Sequence, residues 1–136
     1  MVSGAQGYVS GACRGVAILL WSADPKVPGR LSTPFFHAAA AAALEVEVEL
    51  YFSAASVQLL APGVADSLRS SEHSDSTVGE AMRLAHQHGA RLYACADALK
   101  AQGLQLDALI SMCSGLGGSV QFMGRTIDPA WRTLVY

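Results

Sequence analysis

The chain has 136 residues, 51% of them hydrophobic and 15% charged, with nine Lys and Arg against eleven Asp and Glu, and three Cys. That length suits a single domain whose core needs neither disulfide nor metal to hold it. The composition is too apolar for a disordered chain, and the missing basic excess argues against a nucleic-acid partner.

Residues 1–14 are rich in Gly, Ser and Ala, and read as a flexible tail with no apolar leader segment. The expectation is a cytoplasmic protein with reduced thiols. No stretch reaches the roughly 18 apolar residues that a bilayer span requires, so no membrane association is expected. Gly15 to Ser22 (GVAILLWS) is a continuous apolar run, the pattern of a strand buried on both faces. Asp24, Pro25, Pro28 and Gly29 form a loop, and Ser32-Thr33-Pro34 opens a helix under a hydroxyl cap, running through the alanines to about Glu45.

Val46 to Ser53 alternates with a period of two. Val46, Val48, Leu50 and Phe52 face one way, and Glu47, Glu49 and Tyr51 the other. Solvent exposure is the plain explanation of that polar face; a subunit contact or a solvent gap is the alternative. Ala54 to Leu60 reads as a short helix, and residues 62–76 as a long mobile loop. Thr77-Val-Gly-Glu80 fits a capping box for a helix ending near Gly89. Arg91 to Cys95 is a short strand, followed by a helix over Ala96 to Gln102 closed by Gly103. Leu106 to Met112 suits either a fourth strand or a helix. Leu116 to Thr126 has helical spacing, Asp128-Pro129 breaks it, and Trp131 to Tyr136 is a terminal strand. Strands alternating with helices four or five times predict an α/β domain with a parallel sheet. With so few charges to cover a monomer, an oligomer is expected.

Cys95 is the leading candidate for chemistry. It falls at the carboxyl end of a predicted strand just before a helix, the edge where open α/β sheets bind ligands. Free N–H groups and the positive end of a helix dipole favour a thiolate, which is the nucleophilic form. Position alone leaves it open between a reactive thiol and a small buried hydrophobe. Cys113 precedes the glycine-rich Ser114 to Gly118, a predicted turn that could cradle an anion but matches no complete phosphate-binding fingerprint. Cys113 would serve as a resolving partner if its loop met that of Cys95. Asp24 and Ser53 lie in turns that would line or gate the same edge, and His73 in the long loop could reach it. His86 and His88, two residues apart, do not share a helix face, so no metal site is expected, and no motif points to a cofactor.

The segment order resembles the DsrE/DsrF-like sulfur-relay family, including its TusD-type subunits. The likeness spans residues 15–136 and is carried by the apolar first strand AILLWSAD, the segment Tyr93-Ala-Cys-Ala-Asp-Ala-Leu-Lys-Ala-Gln-Gly103, and Gly115-Leu-Gly-Gly-Ser-Val-Gln-Phe-Met followed by Trp131-Arg-Thr-Leu-Val-Tyr136. The resemblance implies a five-stranded parallel sheet in a three-layer α/β/α sandwich, assembled as trimers or hexamers. It implies that Cys95 holds sulfane sulfur as a persulfide, receives it from a donor protein and passes it to an acceptor such as a TusA-like carrier. The alternatives are a non-catalytic interaction module on the same fold, or a small-molecule binder at Gly115–Gly118.

Overall fold

A computed structural model describes residues 13–136; residues 1–12, most of the expected tail, lie outside the described residues. Five strands form one sheet: β1 (Gly15–Leu20), β2 (Glu47–Phe52), β3 (Arg91–Ala94), β4 (Cys113–Leu116) and β5 (Trp131–Val135). Their order is β4-β3-β2-β1-β5 and every pairing is parallel. Four α-helices connect them: α1 (Ser32–Ala43), α2 (Val78–Gln87), α3 (Ala96–Ala101) and α4 (Ser119–Thr126).

The topology dictates which face each helix covers. Parallel crossovers are almost always right-handed, so the steps β1 to β4, all in one direction, put their connections on one face. The return from β4 to β5 puts α4 on the other. The two cores follow this division. Ile18, Leu20, Leu50, Phe52 and Leu92 pack with Phe35 of α1, Met82 of α2 and Leu99 of α3. On the opposite face Ala17, Tyr51 and Trp131 pack with Phe122 of α4. Among the described residues, one layer of the sandwich is therefore a single helix, with Phe122 its only buried residue.

Several elements differ from the sequence expectation. No hydroxyl caps α1: a short 3-10 turn at Pro28–Arg30 runs into it, Leu31 takes the cap position, and the Ser32 hydroxyl is buried without a partner. The helix stops at Ala43, and Glu45 turns the chain with φ of 68°. Thr77 caps α2 as expected by accepting the Glu80 N–H at 3.2 Å. The fourth strand lies at Cys113–Leu116, where a turn was expected, while Leu106–Ala108 forms a 3-10 turn. An edge strand of four residues, Cys-Ser-Gly-Leu, is too short and too small in its side chains to show a period. The helix after it accordingly starts at Ser119. The 62–76 loop carries a 3-10 turn at Ala65–Ser67, and Arg69 ties it together through the Ser74 and Glu72 carbonyls. Among the described residues no helix is long and apolar enough to cross a membrane.

Candidate functional site

At the carboxyl edge of the sheet, a cleft of about 250 Å³ opens on the α4 side. Leu19 and Trp21 come from the end of β1, Tyr51, Phe52 and Ser53 from β2, and Cys95 from the end of β3. Gly117 to Ser119, Phe122 and Met123 close it from the start of α4. The place follows from connectivity: crevices form where neighbouring crossovers leave on opposite faces of a parallel sheet. No charged side chain lines this cleft.

Cys95 occupies the cap position of α3. Its N–H donates to the Phe52 carbonyl at 3.0 Å, and its carbonyl accepts the Leu99 N–H at 3.0 Å. The backbone is thus pinned from strand and helix, while the side chain is half-buried and the thiol free. A second, wider groove of about 600 Å³ reaches the same residue from the side of Asp97, Leu116 and Val120. Gly117 to Ser119 border both openings. Two details hold the cleft's shape. A Cβ on Gly117 would lie 2.7 Å from the Tyr93 Cβ and 3.2 Å from a Tyr51 ring carbon, so only glycine lets this turn approach β3. Ala54, next to Ser53, has φ of 51°, a left-handed conformation costing a non-glycine residue about 1 kcal/mol.

Beneath the cleft lies a polar cluster. The two carboxylate oxygens of Glu49 accept Arg125 Nε at 2.9 Å and Nη2 at 2.8 Å, and Tyr51 donates its hydroxyl to Oε1 at 2.6 Å. Arg91 approaches Glu49 at 3.5 Å and Glu47 at 3.0 Å, and Arg14 pairs with Glu47 at 2.7 Å. The Arg125 guanidinium also lies 4.0 Å from the Trp131 ring centroid. The acidic face of β2 is therefore solvent-exposed only in part: Glu47 is 39% exposed, while the Glu49 side chain is only 1% exposed because arginines of β3 and α4 close over it. Burial alone would raise the Glu49 carboxyl; the hydrogen bonds from Arg125 and Tyr51 and the positive charge reverse this and hold it below the usual range. The Tyr51 hydroxyl is pushed above its ordinary value, first by burial and then by its bond to Glu49. It stays a neutral donor and links the cluster to the cleft wall.

Of Cys95, Cys113, Asp24, Ser53 and His73, the cleft contains Cys95 and Ser53. Cys113 opens β4 opposite Leu92, three residues before Cys95 on the neighbouring strand, and borders neither opening. Burial pushes its thiol up, against bonds to the Gly115 and Ala94 backbone. Asp24 folds back to accept the Lys26 N–H at 2.9 Å. His73 is exposed in the 62–76 loop and lines neither opening. Cys13 contacts the Gly15 carbonyl, away from the cleft. Sequence reasoning missed Trp21 and Met123 at the rim and the Glu49–Arg125 pair. The pair left one trace: acidic residues at alternate positions of an otherwise apolar strand.

The sequence pattern of the DsrE/DsrF-like family matches residues 16–127. Among solved structures, the YchN protein of E. coli superposes with a TM-score of 0.70 at 14% identity, covering 90% of this chain and 99% of that one. MTH1491 of Methanobacterium thermoautotrophicum, described as a protein of unknown function, superposes with a TM-score of 0.59 at 24% identity, covering 90% and 98%. No curated protein sequence matches significantly. At these identities the two likenesses speak to the fold alone.

Proposed function

Since the chain belongs to the DsrE/DsrF-like family, we propose that it is an intracellular carrier of sulfane sulfur whose accepting atom is the Cys95 Sγ. The observation that supports this most is a free, half-buried thiol at a strand-to-helix junction, reached by two openings. In the loading step the Cys95 thiolate attacks the outer sulfur of a donor persulfide R–S–SH. A new S–S bond forms at Cys95, the inner S–S bond of the donor breaks, and R–S⁻ leaves to be protonated by solvent. Unloading is the same exchange in reverse roles: an acceptor thiolate attacks the outer sulfur, and Cys95 leaves as thiolate. No net oxidant is consumed in either direction. Donor and acceptor are proteins carrying cysteine, the acceptor resembling a small TusA-like carrier.

Mass spectrometry after incubation with a persulfide donor tests this. Wild type gains about +32 Da, about one sulfur per chain, located on the Cys95 peptide, and Cys95→Ser gains none. Absence of the adduct with several donors would eliminate the carrier.

A non-catalytic assembly role is the alternative and has its own support. Val120, Met123 and Ile127 lie three and four residues apart, on one face of α4 and its end, and are 91%, 50% and 77% exposed. Burial of this stripe between copies, in a trimer or hexamer, would remove it from water. Sedimentation is expected to give a multiple of the 14.2 kDa chain mass. Val120→Glu with Ile127→Glu is expected to shift it toward one chain, and a monomeric wild type would refute the assembly.

A further inference from the structure

The carrier proposal names a protein donor, and the cleft beside Cys95 bears on a second class of donor. Resting on that proposal, we infer that the 250 Å³ cleft beside Cys95 takes a small molecule whose sulfur-bearing group R is uncharged and apolar, of about benzyl size.

Three observations carry this. First, the wall is largely apolar: Leu19, Trp21, Tyr51, Phe122 and Met123 supply its side-chain surface, with Ser53 and Ser119 as small polar additions. Aromatic rings and a thioether are soft surfaces that suit aromatic and sulfur-containing groups. Second, the charge pattern rejects anions. The cleft has no charged lining, and the single charged side chain at either opening to Cys95 is Asp97, which is negative. An ionised group entering the cleft would lose hydration without gaining a charged side-chain partner. Third, the size is small. A volume of about 250 Å³ holds roughly eight waters' worth of matter, enough for one ring and its linker. Trp21 and Met123, 64% and 50% exposed, stand at the rim, where a ring entering the cleft would cover them.

The balanced step is that of loading: Cys95–S⁻ with R–S–SH gives Cys95–S–SH and R–S⁻, with R held in the cleft. An anionic donor such as thiosulfate, or a peptide persulfide with several charges, would have to react from the wider groove beside Asp97.

Cleft preference and sulfur transfer are separable by experiment. The full chain is alkylated with iodoacetate, iodoacetamide and N-benzyl iodoacetamide. The rate at Cys95 is read from its peptide and divided by the rate in urea-unfolded protein. The folded-to-unfolded ratio is expected to be at least about tenfold higher for the benzyl reagent than for iodoacetate, with iodoacetamide between. Trp21→Ala and Met123→Ala are each expected to reduce the benzyl-to-iodoacetamide ratio. Equal ratios for the three reagents, or the highest for iodoacetate, would overturn the inference. The second arm loads Cys95 from benzyl persulfide, glutathione persulfide and thiosulfate. Faster loading from the benzyl donor supports the inference, and equal or faster loading from the charged donors overturns it while leaving the carrier intact. A clear alkylation preference without loading from any donor would keep the apolar cleft and remove the carrier.

Discussion

Arg125→Met is expected to destabilise the protein by about 3 kcal/mol, read as a lower urea midpoint at unchanged slope. Removing one partner of a buried ion pair typically costs about 3–5 kcal/mol, because the other charge stays buried and uncompensated. Glu49 is 1% exposed and loses two hydrogen bonds in this variant. The lower end of the range applies, since Arg125 itself is 28% exposed and Arg91 remains 3.5 Å from the carboxylate. The double variant Glu49→Gln, Arg125→Met removes both charges and should recover a large part of the loss, so the two changes are strongly non-additive. A single variant within about 0.5 kcal/mol of wild type would show that the pair does not hold α4 to the sheet.

The pH dependence has a definite sign. The Glu49 carboxyl is lowered in the folded protein, so its contribution is fully present above the unfolded glutamate value of about 4.3. It is lost as pH falls through the lower folded value, when the folded state must take up the proton. Acid unfolding of wild type should therefore be steeper below about pH 4 than that of the double variant. Glu47 is lowered too, first by its bond to Arg14, but its side chain is 39% exposed and solvent screens most of the effect.

Gly117→Ala is expected to cost about 2 kcal/mol and to disturb Cys95 at the same time. The added methyl would meet the Tyr93 Cβ at 2.7 Å and Cγ at 3.0 Å. A Cβ is fixed to its backbone, so relief requires moving the turn or β3 itself, and such overpacking costs about 1–3 kcal/mol. Movement of the turn would break the Gly117 N–H bond to the Ala94 carbonyl, now 3.0 Å, one residue before Cys95. Gly118→Ala is the matched control: nothing lies within 4 Å of its added carbon, and its stability should stay within about 0.5 kcal/mol. If both variants behave alike, the close approach at Gly117 is not what shapes the cleft.

The alternation of strand and helix was legible because each element is written locally. The apolar run of Gly15–Leu20 and the period of two in Glu47–Phe52 require a parallel sheet covered on at least one face. The Thr77 cap and the glycines at 89 and 103, with φ of 106° and 69°, mark helix ends through backbone conformation alone. β4 was not legible: Cys113–Leu116 is a strand because β3 offers it hydrogen bonds, not because its residues prefer extension. The same holds for Ser32, whose hydroxyl looks like a cap but is carried inside the helix by the preceding 3-10 turn.

Within the site the division is similar. Cys95 could be singled out from its position between a strand and a helix, which depends on a few neighbouring residues. The acidic face of β2 could be seen but not interpreted, since its partners Arg91 and Arg125 are 42 and 76 residues away. Cys113, Asp24 and His73 lie in segments whose distance from Cys95 no local pattern encodes. The amino-acid sequence thus determined by itself the class of fold, the order of its elements apart from β4, and the thiol at the sheet's edge, because these follow from hydrophobic period and turn chemistry over short spans. The tertiary structure alone decided that α4 packs on the second face, that Glu49 is buried under Arg125, and that a cleft without charged side chains meets Cys95. Each of these depends on which distant segments the crossovers bring together, and strand order leaves no trace in local pattern.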